Sequence, residues 1–177
     1  MKRQESDFDY TSIINIGIWR KNIIKLDVNF LINTLYNLSK STPSINRSNS
    51  GGYQSPPNLS TIPHFSNLIK IINDEVFKIT NNTNTKILDM WGNISSFTNY
   101  NHIHTHNTDI SKFSGILYLK TPPNSGNILF YNPLDLNCNR EYTPQEKDLL
   151  IFPSILLHSV NPNLSQEDRI SIAFNFS

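Results

Sequence analysis

The stretch NHIHTH, residues 101 to 106, sets His102, His104 and His106 at alternate positions in a chain that holds five histidines in all. In an extended strand successive side chains point to opposite faces, so residues two apart share a face and the three imidazoles project together. Such a group grips a metal ion, because imidazole is the commonest side-chain ligand for zinc, iron and copper. A surface strand in which histidines alternate with Ile103 and Thr105 fits the same letters, and the stretch alone leaves both readings open. A further histidine, His158 in LLHSV, lies in a later strand-like run. Two histidines from one strand and one from another make three ligands on one face of a metal, with the opposite face open to oxygen or a chelating substrate. Taken by itself, His158 is more simply a structural histidine.

The final run, RISIAFNF, carries a second kind of chemistry. Arg169, Ser171, Ala173 and Asn175 fall on one face, and Ile170, Ile172, Phe174 and Phe176 on the other. One face is therefore packed while the other lines something polar. A guanidinium with a hydroxyl two residues on takes a carboxylate through charge-assisted hydrogen bonds. An edge strand with Arg169 in solvent is the plainer alternative, and the histidines weigh against it.

The elements that must position these groups fall into two blocks. TSIINIGIW reads as an early strand, and DVNFLINTLYNLSK as a helix capped by Asp27 and ending before Pro43. Residues 43 to 60 are rich in Gly, Pro, Ser and Asn and read as a long loop. TIPHFSNLIKIINDEVFKIT predicts a second helix, with Pro63 in its first turn and Phe65, Leu68, Ile69, Ile72, Val76 and Phe77 along one side. After residue 84 the period changes to alternation, and seven short runs read as strands: TKILDMWGN, NYNHIHTH, SGILYLKT, GNILFYN, KDLLIFPS, ILLHSV and RISIAFNF. Turn signals at TPPNSG and NPNLSQED separate them. This pattern predicts a mainly β chain with N-terminal helices and a jelly-roll core, a fold with a pocket between its sheets. A single domain over 1–177 is expected, with 1–84 holding the strand, helices and loop and 85–177 the jelly roll.

Composition removes several function classes. A net charge of +1 supplies no field for nucleic acid or an anionic membrane. The single cysteine, Cys138, excludes an intramolecular disulfide and a Cys-rich zinc module, and it has no obvious partner as a nucleophile. The start, MKRQESDFDY, lacks the apolar stretch of a secretory signal, and no run is long enough to span a bilayer. A soluble, intracellular protein is expected.

Taken in order, SNSGGYQS at 48–55, WGN at 91–93, HTH at 104–106, SGILYLKTP at 114–122, GNILFYNP at 126–133, FPSILLHSVNP at 152–162 and RISIAFN at 169–175 form a recognisable series. The chain resembles the iron(II) and 2-oxoglutarate dependent oxygenases, within them a group known from bacteria, phages and viruses. The double-stranded β-helix that this resemblance implies is the jelly roll expected above. It also implies that His104 and His158 hold iron, with His106 at the carboxylate's position, either as a third neutral ligand or standing back while water or an anion takes the place, and that Arg169 binds the remote carboxylate of 2-oxoglutarate with help from Ser171. Tyr118 matches a tyrosine that, in related prolyl hydroxylases, donates to that same carboxylate. Trp91 and Asn93 would line the pocket, and the loop containing Tyr53 and Gln54 would cover it.

Two positions depart from the family pattern. Most of the superfamily reads H-x-D or H-x-E where this chain has His106, and Asp109 is the only nearby acid. YTPQEKDLLIFPS lacks the glycine expected in the turn before its strand and has Lys147 and Asp148 instead. The cofactors implied are Fe(II), 2-oxoglutarate as co-substrate and O2. The implied reaction releases succinate and carbon dioxide while hydroxylating a peptidyl side chain or a small molecule. Two rivals stand beside it. A jelly-roll metal-binding module would have no reason for Arg169, Ser171 and Tyr118 together. A cupin-like three-histidine metalloenzyme working without 2-oxoglutarate would make His106 ordinary and Arg169 unexplained.

Overall fold

The alternating runs after residue 84 pair into two facing antiparallel sheets in the computed structural model, which describes residues 16–106, 110–135 and 137–177. Six strands make the larger sheet: β1 (Trp19–Asn22), β3 (Tyr53–Gln54), β4 (Ile87–Ser95), β6 (Phe113–Lys120), β9 (Asp148–Pro153) and β11 (Arg169–Phe176). Their spatial order is β1-β9-β6-β11-β4-β3. The smaller sheet contains β2 (Asn49–Ser50), β5 (Tyr100–His104), β7 (Ile128–Phe130), β8 (Arg140–Tyr142) and β10 (His158–Val160), in the order β2-β5-β10-β7-β8. Sequence neighbours are spread across both sheets, which is the double-stranded β-helix expected of the chain.

Two helices cover the outer face of the larger sheet. The first, α1 (Val28–Ser41), is capped by Asp27, whose carboxylate accepts from the Phe30 amide. The second, α2 (Ser66–Thr80), buries Leu68, Ile72 and Val76. These residues join Leu31 and Leu35 of α1 and Ile170, Ile172, Phe174 and Phe176 of β11 in the main core. A second cluster, with Ile128, Phe130, Leu150, Phe152 and Val160, fills one end of the space between the sheets. The apolar face of β11 therefore meets the helices, and its polar face looks inward.

Local differences from the sequence pattern have physical causes. Of the early strand expected over TSIINIGIW, residues 11 to 15 lie outside the described residues, and β1 begins only at Trp19. Pro63 sits in a short 3₁₀ turn, Pro63–Phe65, and the α-helix follows at Ser66 without a side-chain cap. Phe77 is 43% exposed rather than packed. The segment at 43–60 is no plain loop, because β2 pairs with β5 of one sheet and β3 with β4 of the other. Gly51 and Gly52, at φ 72° and 70°, make the crossing, and a Cβ on Gly52 would meet the Asn99 Oδ1 at 3.1 Å. β8, Arg140–Tyr142, escapes an apolar-alternation search because its letters are REY. The expected turn glycine is replaced by Lys147, which takes the left-handed φ of 69° that a glycine would have taken. Its amide donates to the Tyr118 carbonyl at 2.8 Å. Asp148 accepts from Gln145 N at 2.9 Å and pairs with Arg20 at 2.5 Å, which holds the turn without glycine.

Candidate active site

His104 ends β5 and lies directly opposite His158 at the start of β10, so strand pairing alone brings these two imidazoles together. Their ring centroids are 4.3 Å apart. The strand expected through His106 stops two residues earlier, but the His106 amide donates to the Ser154 carbonyl at 2.9 Å. That bond keeps its ring beside the others, 4.9 Å from His104 and 5.1 Å from His158. One possible ligand atom from each of the three lies within 4.8 Å of the rest. His102 does not join them. It is exposed, edge-on to Tyr100 at 4.8 Å. Asp109 lies outside the described residues.

The protonation state suits a cation. Burial depresses the pKa of all three, to about 4 for His106 and about 3 for His158, and the neighbouring imidazoles add to the effect. Each is therefore neutral near pH 7 and has a lone pair to offer. Nδ1 of His104 lies 2.6 Å from the His102 carbonyl, and Nδ1 of His158 lies 2.8 Å from the Leu156 carbonyl. A carbonyl accepts only from a protonated Nδ1, which leaves Nε2 of both rings free to bind metal. Trp91, 5.4 Å from His106, and Phe152, 4.9 Å from His158, form apolar walls. The donor set thus fits a divalent transition metal with three neutral nitrogens and no carboxylate.

Inward from the imidazoles, a cavity contains His104, His158, Tyr118, Arg169, Ser171 and Asn93 in its lining. The register explains the grouping, since Ser171 of β11 lies opposite Tyr118 on β6 and Asn93 on β4. Arg169, only 3% exposed, has no carboxylate partner among the described residues. Its Nη1 donates to the carbonyls of Ser125 and Asn161. Burial lowers its pKa, yet a guanidinium remains cationic. Tyr118 is fully buried and its hydroxyl has no hydrogen-bond partner among the described residues. Burial pushes its pKa upward, so it stays a neutral donor. A buried cation and an unpaired hydroxyl in one cavity call for an anion.

Of the other residues singled out from sequence, Trp91 lines this cavity, and Gln54 lies on a second space outside the imidazoles. Tyr53 is elsewhere, against the helical core with its hydroxyl 2.7 Å from that of Thr42. Cys138 is exposed, and its hydrogen bond to Asp135 raises its pKa, the opposite of an activated thiol. Gly126 is not singled out from sequence but matters here. At φ 91°, an added Cβ would strike the Asn161 carbonyl and stand 2.7 Å from Nη1 of Arg169. The only hint in the sequence is its place in the turn TPPNSG, whereas the Ser125 and Asn161 carbonyls carry no residue-type signal. No helix among the described residues is long and apolar enough to cross a membrane.

Comparison with known proteins agrees with this geometry. A family model described as "Putative 2OG-Fe(II) oxygenase" matches residues 134–175, the segment that contains His158, Arg169 and Ser171. No curated protein matches the chain. Among solved structures, HygX from Streptomyces hygroscopicus, with nickel, 2-oxoglutarate and hygromycin B bound, is similar at a TM-score of 0.73 and 13% identity, covering 92% of this chain and 83% of that one. A prolyl-4-hydroxylase from Pseudomonas putida is similar at 0.71 and 14% identity, covering 91% and 92%. The Trichoplax adhaerens prolyl hydroxylase in complex with a hypoxia inducible factor peptide fragment is similar at 0.69 and 18% identity, covering 90% and 83%. At these identities the likeness is one of fold. The matched family model and the shared fold agree with the resemblance read from the sequence.

Proposed function

We propose that this chain is an iron(II) and 2-oxoglutarate dependent oxygenase, with His104, His106 and His158 holding the metal. Arg169, Tyr118 and Ser171 take the remote carboxylate of 2-oxoglutarate. The observation that carries the reading is the pairing, in one cavity, of a guanidinium without a carboxylate and a hydroxyl without a hydrogen-bond partner among the described residues, bordered by the neutral imidazoles of His104 and His158. A metal-binding module without a co-substrate leaves both groups unexplained. HygX, whose fold is similar, was crystallised with nickel and 2-oxoglutarate, which supports the same pair of ligands here.

Each residue has a stated task. The Ser125 and Asn161 carbonyls hold one guanidinium nitrogen and leave the rest of the fork for the carboxylate. Tyr118 adds a donor at the same end. Trp91, Ile116, Ile128, Phe152 and Val160 keep bulk water from the space between anion and imidazoles. The bound iron, with 2-oxoglutarate and O2, would supply an oxidant able to take hydrogen from a substrate, with succinate and carbon dioxide released. The protein itself needs no general base for this reaction. Hydroxylation of a peptidyl side chain or a small molecule is the outcome proposed, since similar folds occur with a peptide and with hygromycin B bound.

His106 favours a second reading, a three-histidine metalloenzyme that works without 2-oxoglutarate. Anaerobic calorimetry separates the two. The oxygenase reading predicts one iron(II) per chain, followed by one 2-oxoglutarate that binds only to the iron-loaded protein. Iron binding without any 2-oxoglutarate binding would support the second reading instead.

A further inference from the structure

Outside His104 and His106 lies a second open space of about 1180 Å³, whose lining includes Arg47, Gln54, Asp89, Trp91, His106 and Asn175. It shares Trp91 and His104 with the Arg169 cavity, so the imidazoles stand between the two spaces. Strand register places its polar end. Ser95, Asn93, Trp91 and Asp89 of β4 lie opposite Arg169, Ser171, Ala173 and Asn175 of β11. Arg169 and Asn175 are therefore at opposite ends of one inward row, roughly 20 Å apart at the rise of a strand. Asp89 stands one step beyond Trp91, about 7 Å along the same strand.

Asp89 is incompletely paired. One carboxylate oxygen, Oδ1, is closed off from solvent and has no hydrogen-bond partner among the described residues. Asn175 reaches the carboxylate through both its side-chain amide and its backbone N–H, which are neutral donors. Ser114 donates to Asn175 Oδ1 at 2.7 Å, which turns the amide NH2 towards Asp89. No basic side chain among the described residues forms an ion pair with it. The carboxylate lines the outer space with only neutral donors on it, and a cationic group of a ligand in that space supplies the missing charge.

We propose that Asp89 selects the substrate, and that the outer space takes a molecule presenting an ammonium or guanidinium group to it. As a statement about substrate, this rests on the oxygenase reading. As a statement about binding, it does not. The same cation could come from a basic side chain of a peptide or from a small amine such as an amino sugar.

The test uses the full chain with nickel(II) and 2-oxoglutarate added, so that nothing turns over, and reads probe binding by ligand-observed NMR. The probes are acetyl-Gly-Lys-Gly-amide against its norleucine counterpart, and glucosamine against glucose. The expected result is a preference of about tenfold or more for the ammonium member of one pair, lost in Asp89→Asn. Asp89→Ser serves as the second variant if the first fails to fold. The pair that responds distinguishes a peptide from an amino sugar. Equal binding within both pairs, no binding of any probe, or a preference that survives loss of the carboxylate overturns the proposal. The oxygenase reading fails separately, if the iron-loaded protein binds no 2-oxoglutarate while the ammonium preference persists.

Discussion

Replacing Tyr118 with phenylalanine should stabilise the ligand-free protein and weaken it towards 2-oxoglutarate. The hydroxyl is fully buried and unpaired among the described residues, and the ring is packed with Leu150 and Phe152. Phenylalanine keeps that packing and removes only the orphaned group. An unpaired buried hydroxyl costs about 1–3 kcal/mol, so the variant should gain about 1 kcal/mol in urea unfolding without ligand. With 2-oxoglutarate at about 100 times its Kd, the iron-loaded parent gains about 2.7 kcal/mol. Loss of one hydrogen bond to a carboxylate weakens the variant about tenfold, which cuts its ligand gain to about 1.4 kcal/mol and closes the gap between the curves. Two results would refute the reasoning. A ligand-free variant less stable than the parent would mean that the hydroxyl has a partner. An equal stabilisation of both proteins by 2-oxoglutarate would mean that the hydroxyl does not face the anion.

Arg169→Leu should lower 2-oxoglutarate affinity by about two orders of magnitude, from loss of charge-assisted hydrogen bonds worth about 2–4 kcal/mol, while anaerobic titration finds iron binding intact. His104→Ala should abolish iron binding, His102→Ala should retain most of it, and His106→Asp should retain it with a carboxylate in place of the imidazole, all read as metal stoichiometry after gel filtration. The pKa values of His106 and His158 are depressed in the fold, so their stabilising contribution is complete above the unfolded value of about 6.5 and is lost as pH falls towards about 4 and about 3. Metal-free urea midpoints should therefore fall from pH 7 to pH 4, and less steeply in His158→Phe. Lys147→Gly should stabilise the protein by up to about 1 kcal/mol by relieving the left-handed backbone at φ 69°, measured as a shift in the thermal midpoint.

Alternation carried much of this fold into view, because a half-buried strand must alternate. It separated the helix-facing residues of β11 from Arg169 and Ser171, and the structure keeps that division. It could not say where a strand stops. His106 follows the strand rather than belonging to it, held by the Ser154 carbonyl, and no local pattern announces such a backbone bond. The meeting of His104 with His158 depends on cross-strand register between segments more than fifty residues apart, which follows from closure of the sheet and not from either segment. Tyr53 and Gln54 illustrate the same limit, since adjacent residues of a strand face opposite ways and only Gln54 reaches the outer space. Lys147 shows a turn in which a non-glycine residue takes the backbone conformation expected of glycine, with Asp148 accepting a hydrogen bond from Gln145.

The central claim is that iron at three histidines works together with 2-oxoglutarate held by Arg169. Its most direct test is succinate formation by the iron(II)-loaded chain in air with 2-oxoglutarate and ascorbate, beside His104→Ala and Arg169→Leu under the same conditions. The account predicts slow succinate release by the parent even without substrate, none by His104→Ala, and a strongly raised 2-oxoglutarate requirement in Arg169→Leu. No succinate from an iron-loaded, folded parent, or equal succinate from all three proteins, would contradict it.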